Sequence, residues 1–294
     1  MRTTLVTGSA GQLGSYVVDM LCERGRPVLG LDRRPSRWTN IVADVRTHGA
    51  APAGVGAIVH CAAQVSVPLS VASPREDAAE NVDGTLAMLE AARSFDARFV
   101  FISSAAVYGD PSKTPIREDS PVEPVNPYGL SKAVGERYTN LYARLYGLET
   151  VILRPFNVFS PRADPSSPYS GVVTQFVRAV SEGRPPVLHG GGLATRDFVH
   201  ATDVSRAVLL ALSEDRAKGG TFNVGTGRPT SIRDLAALVV KLAGSAVRPV
   251  DGEARRGDIA ASVADVSRLV ALGHRPATDL PRQLGEIVAQ GAIP

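Results

Sequence analysis

The chain of 294 residues carries 32 Lys and Arg against 29 Asp and Glu, a formal net charge of +3, and 44% hydrophobic residues; that length suits one large domain with a smaller one beside it. No apolar run approaches the ~20 residues of a membrane span, and no basic run or basic helix face offers a nucleic-acid surface. Neither partner is expected, while the mild positive bias suits an anionic small substrate.

The first strand begins almost at the first residue, which leaves no room for a signal peptide. Cys22 and Cys61 both fall in apolar patterns. Buried thiols, no disulfide, no metal site and a cytoplasmic location are the expectation.

Thr4-Leu5-Val6-Thr7-Gly8-Ser9-Ala10-Gly11-Gln12-Leu13-Gly14 organises the chain. A short apolar run feeds a loop with three glycines, and a helical pattern comes next. That order places a helix N-terminus and its free N–H groups against a dinucleotide diphosphate. Gly8 permits the sharp turn, Gly11 lets the backbone approach phosphate, and Gly14 lets helix and sheet pack closely. The spacing G-x-x-G-x-x-G departs from the common G-x-G-x-x-G, so the next strand matters. Val28-Leu29-Gly30-Leu31 ends at Asp32, roughly 20 residues beyond the glycines, where an acid holds ribose hydroxyls and disfavours a 2′-phosphate. Arg33 and Arg34 follow and pull the other way. The balance favours NAD.

Apolar runs then alternate with helical stretches, which implies a parallel, doubly wound sheet. Asn40-Ile41-Val42-Ala43-Asp44-Val45 reads as a strand whose acid and apolar end sit beside the adenine. Ala57-Ile58-Val59-His60-Cys61-Ala62-Ala63 reads as a buried strand running into small residues that leave space for a ligand. His60, among apolar neighbours, is expected to be structural. A helix over 74–93 carries Asn81, with Leu86, Leu89 and Ala92 at helical spacing. The apolar strand 98–102 ends at Ser103-Ser104, two hydroxyls at the edge where open α/β sheets bind ligands.

Asn126-Pro127-Tyr128-Gly129-Leu130-Ser131-Lys132 starts another helix, with Pro127 in its first turn. Tyr128 and Lys132 then lie on one face, a turn apart. A free phenol has a pKa near 10; an ammonium close by, with a positive nicotinamide ring, would lower it. Tyr128 could then take a proton from a sugar hydroxyl while hydride leaves the same carbon, with Ser104 hydrogen-bonding the reacting oxygen. Tyr138, Leu141, Tyr142 and Leu145 form a stripe further along this helix. It reads either as core or, with the helix over 74–93, as the face of a homodimer.

After Thr150-Val151-Ile152-Leu153 comes Arg154-Pro155-Phe156-Asn157-Val158-Phe159-Ser160-Pro161-Arg162. With the glycine loop, Asp32, Asp44-Val45, the His60–Ala63 stretch, Ser103-Ser104 and Tyr128/Lys132, this chain resembles the extended short-chain dehydrogenase/reductases of the UDP-glucose 4-epimerase-like, nucleotide-sugar epimerase/dehydratase group. Arg196-Asp197-Phe198-Val199-His200, Asp203-Val204, Phe222-Asn223-Val224-Gly225 and a late Arg-Arg-Gly-Asp extend the likeness over nearly the whole chain.

The resemblance implies a Rossmann-type domain over 1–157 and 198–226, and a smaller nucleotide-sugar domain over 158–197 and 227–294. It adds Gln12, Leu13, Ala62, Ala63, Asn81, Ser103 and Pro155 to the NAD site. Asn157, Val173, His189, Arg196, Arg255 and Asp258 would hold the UDP-sugar. His189 stands where the family often has an aromatic ring, and a partner for Asp197 is the alternative role of Arg196. Arg255 fits the family spacing better than Arg256. The loop over 162–171 would close on the sugar; Arg162, Ser170 or hydroxyls after Ala63 could serve a uronate.

The implied reaction is epimerisation at carbon 4 of a UDP-hexose through a 4-keto intermediate. A 4,6-dehydratase, decarboxylase or ketoreductase, or a silent NAD-sensing protein, are the rivals. The first two usually carry an acid where Ala105 and Ala106 stand.

Overall fold

The computed structural model describes residues 2–47, 51–164, 171–254 and 259–291. Its centre is a sheet of seven strands: β1 (Thr3–Thr7), β2 (Val28–Asp32), β3 (Ile41–Val42), β4 (Val55–His60), β5 (Arg98–Ile102), β6 (Thr150–Pro155) and, after shorter strands, β11 (Thr221–Val224). The order is β11-β6-β5-β4-β1-β2-β3, and every pairing is parallel. The expected doubly wound sheet is therefore present, with its reversal of winding between β1 and β4. In such sheets the ligand crevice lies at the carboxyl ends near that reversal.

Helices cover both faces. On one side α1 (Gln12–Glu23) and α7 (Ala201–Ser213) share a core in which Val17, Val18, Leu21, Val204 and Val208 meet Val6, Val100 and Leu153. On the other, α4 (Gly84–Phe95) and α5 (Pro127–Tyr146) pack around Leu5, Ile58, Met88, Leu89, Phe99 and Phe101. α5 starts where it should: Asn126 caps it, its Oδ1 accepting from Gly129 N–H at 2.8 Å, and Gly147 closes it with φ +68°. It sits hard on the sheet, since a Cβ at Gly135 would lie 2.6 Å from the Phe101 ring. A third core joins Phe159, Val173, Phe176 and Leu188 to Leu235, Val239 and Leu284. It gathers α6 (Val172–Ser181), α8 (Ile232–Leu242) and α10 (Leu280–Gly291).

Three expectations need correction. The strand expected over 40–45 is only Ile41–Val42. The helix expected over 74–93 is α3 (Pro74–Ala78), a π turn at Ala79–Asp83, then α4. Cys22 is exposed, because Gly14, Val17, Val18 and Leu21 take the inward stripe of α1 and the next position faces out. On α5 the core reading holds for Tyr138 and Tyr142, while Leu145 and Tyr146 stay exposed. Among the described residues no helix is long and apolar enough to cross a membrane, and no cluster of His, Cys, Asp and Glu could hold a metal.

His60 is structural, as expected. It is fully buried, stacks on Phe99 and Phe101, and places Nδ1 2.9 Å from Thr7 Oγ1. Burial, helped by the Lys132 charge, pushes its pKa down to about 3. The unfolded chain binds that proton near 6.5, so the stability due to neutral His60 is present above that value and is lost as pH falls from about 6.5 toward 3. His60→Asn should therefore flatten the acid limb of a urea-midpoint profile between pH 6.5 and 4; an unchanged slope would refute the assignment.

Candidate active site

A cleft of about 800 Å³ opens along the carboxyl edge of the sheet. At one end is the glycine loop. Gly8 has φ +69°, and a Cβ there would lie 2.7 Å from Ala62 N; at Gly14 it would lie 2.1 Å from Gly8 O. Helix, loop and the end of β4 thus close on one another with no space for a side chain. The small residues Ala62 and Ala63 serve that close approach as well as line the cleft. Gly11, Gln12, Leu13 and Gly14 line it too, presenting the first N–H groups of α1. A diphosphate fits this cradle, and so the residues present fit NAD.

Asp32 stands at the end of β2, fixed by Ala10 N–H at 3.0 Å and Arg34 N–H at 2.9 Å. Arg33, Asp44, Val45 and Glu80 complete that end of the cleft. Arg46 pairs with Asp44 and holds its carboxyl down at about 2. Glu80 was not singled out in the sequence; it directly precedes Asn81. Asn81 itself does not line the cleft. It is 2% exposed, its Oδ1 accepts from Gln64 N–H, and its Nδ2 donates to Gln64 O, Asp77 Oδ1 and Ser131 Oγ. Its amide holds the Gln64 loop against α5.

At the other end Ser103, Ser104, Tyr128, Lys132, Pro155 and Asn157 converge. Ser103 donates to Glu136 Oε1 at 2.5 Å. Ser104 Oγ accepts from Ala106 N–H at 3.1 Å, and Ser104 and Tyr128 line the cleft together. Burial raises the Tyr128 phenol, the Ser104 hydroxyl lowers it, and the Asp77 carboxylate raises it again, leaving it above its ordinary value. Lys132 is not what lowers it here, contrary to expectation: its Nζ lies 4.9 Å from the Phe101 ring centroid. Burial depresses the Lys132 ammonium to about 8. Cys61 also lines the cleft, and burial pushes its thiol up to about 12.

Of the described residues expected to hold the sugar nucleotide, Asn157 lines this cleft, and Val173, His189 and Arg196 are not among its lining residues. Val173 is 5% exposed and packs in the third core, the place its apolar helix face dictates. His189 Nδ1 lies 2.9 Å from Glu253 O. Arg196 donates through Nη1 to Thr195 O and Ile259 O. The alternative role suggested for Arg196 does not account for Asp197, which is fully buried and accepts from Thr226 N–H, Gly227 N–H and Ala264 N–H. Arg255, Asp258 and Ser170 lie outside the described residues. Arg162, suggested for a uronate, bonds Asp19 at 2.6 Å and stacks over Tyr16 and Trp38. It ties the chain at 162 to α1; residues 165–170 of the loop expected over 162–171 lie outside the described residues.

Known proteins share this arrangement. Residues 4–225 match the NAD dependent epimerase/dehydratase family. The UDP-glucose 4-epimerase of Mycolicibacterium smegmatis is 37% identical over 305 residues, covering 97% of both chains. A Thermotoga maritima UDP-glucose 4-epimerase solved with UDP-glucose superposes with a TM-score of 0.92 at 33% identity, over 98% of this chain and 97% of that one. A Thermus thermophilus UDP-glucose 4-epimerase solved with NAD gives 0.88 at 33% identity, over 98% of each chain.

Proposed function

The chain belongs to the NAD dependent epimerase/dehydratase family, and from that premise we propose that it interconverts the carbon-4 epimers of a UDP-hexose. The sugar is of the UDP-glucose, UDP-N-acetylglucosamine or UDP-glucuronate type. The observation that carries this reading is that Tyr128 and Ser104 line the same cleft as the glycine cradle and Asp32. We assign 1–157 and 198–226 to dinucleotide binding and the remainder to the sugar nucleotide.

Held by the glycine cradle and Asp32, NAD would supply a reversible hydride acceptor for the sugar carbon and a positive ring charge. Tyr128, as phenolate, takes the proton of the carbon-4 hydroxyl, and Ser104 holds that oxygen in line. Lys132 lines the same cleft, and its depressed pKa of about 8 reflects the same burial that excludes water from the reacting atoms. Once the 4-keto sugar has turned over, Tyr128 returns the proton to the oxygen on the new face. Ala105 and Ala106, in the 3₁₀ turn after Ser104, bring no carboxylate for removing a carbon-5 proton, which disfavours dehydration.

The test is incubation with a panel of UDP- and dTDP-sugars without added NAD, with products resolved by proton NMR. Carbon-4 epimers of a UDP-sugar are expected, and a 4-keto-6-deoxy product would overturn the reading.

A further inference from the structure

Asp32-Arg33-Arg34 sets opposite preferences side by side: a carboxylate repels a ribose 2′-phosphate, and a guanidinium fork attracts one. The geometry separates them. Arg34 directs Nη2 to the Ala10 carbonyl at 3.3 Å and keeps Nε 3.8 Å from Asp32. Arg33 meets Glu80 fork to fork, both bonds 2.9 Å, with Nη1 3.9 Å from Asp44. Asp44 is in turn gripped by Arg46 at 3.0 and 2.6 Å. All six side chains line the cleft, and each guanidinium already faces a carboxylate. Glu80 owes its position to the π turn Ala79–Asp83, a device that recurs at functional sites. Asn81 turns inward there, while the Glu80 side chain, 15% exposed, reaches the rim.

We propose that Glu80 is a specificity-determining residue of the dinucleotide site: it holds Arg33 away from a 2′-phosphate and adds its own negative charge, so the site selects NAD over NADP despite the two arginines. This rests on the dinucleotide reading above. An entering phosphate would have to displace Glu80 from a two-bond, charge-assisted pair and leave three carboxylates around itself. A 2′-hydroxyl leaves the rim intact.

Titration of the purified protein with NADH and with NADPH, followed by nucleotide fluorescence, tests it. Glu80→Gln keeps the side-chain size and removes the charge. NADPH affinity should rise about tenfold while NADH affinity changes less than about twofold. Arg33→Ala added to that variant should remove most of the gain. An unchanged NADPH/NADH ratio in Glu80→Gln, as a merely structural role would give, overturns the proposal; so does a gain that survives Arg33→Ala in full. Wild-type protein that binds both dinucleotides equally well overturns it with the dinucleotide reading intact. Wild-type protein that binds neither removes the premise and the proposal together.

Discussion

Replacing Tyr128 by phenylalanine is expected to slow epimerisation of a UDP-hexose by about 10²–10⁴-fold, the range a positioned acid–base group supplies, with the fold unchanged and dinucleotide still bound. The ring is 9% exposed, and phenylalanine fills the same space. Only the oxygen is lost, and with it the group that moves the proton. The pH dependence separates this role from packing. The phenol works deprotonated and sits above its ordinary pKa through burial and the Asp77 carboxylate. Wild-type kcat/KM should therefore rise with pH through the neutral and alkaline range until the phenol is ionised. The residual rate of Tyr128→Phe should lack that rise. A variant within about fivefold of wild type would remove Tyr128 from the chemistry.

The sheet was legible because parallel strands covered on both faces read as unbroken apolar runs; β5 and β6 are such runs, and the structure buries them almost wholly. The shared face of Tyr128 and Lys132 was legible for the same local reason, a turn of helix. Spacing fixes a face and leaves open where a long side chain ends, and the Lys132 ammonium turns toward Phe101. The π turn was not legible, since nothing in Ala79-Glu80-Asn81-Val82-Asp83 breaks a helical pattern. Its register comes from Gln64 and Ser131, distant in sequence, which bind Asn81. Val173 shows the reverse case. The resemblance pointed to substrate, while the residue's own surroundings, an apolar helix face, point to core, and Val173 packs in the third core.

Arg154→Met should destabilise the fold by about 3–5 kcal/mol, the cost of stranding a buried charge. The Arg154 and Glu136 side chains are each 6% exposed. Arg154 Nε and Nη2 bond Glu136 at 2.8 and 2.5 Å, and Nη1 donates to Tyr108 Oη at 2.9 Å and Glu118 O at 3.1 Å. Tyr108 Oη donates on to Asn223 Oδ1 at 2.6 Å, and Asn223 N–H to Glu118 Oε1 at 2.9 Å. One guanidinium thus ties α5 and β6 to β11 and to the backbone at Glu118. Without it, Glu136 keeps only Ser103 as a donor among the described residues, at a buried position. Arg154→Met/Glu136→Leu should lose less than the single variant, because no charge is left unpaired. Arg282→Met, breaking a pair whose side chains are 60% and 48% exposed, should leave the urea midpoint within error. Midpoints at constant slope measure all three. The network also reaches the chemistry, since Ser103 is held by Glu136 and Ser104 follows it in the chain. Turnover by folded Arg154→Met should fall as the serine pair shifts. A midpoint shift no larger than that of Arg282→Met would show that this pair organises neither the core nor the site.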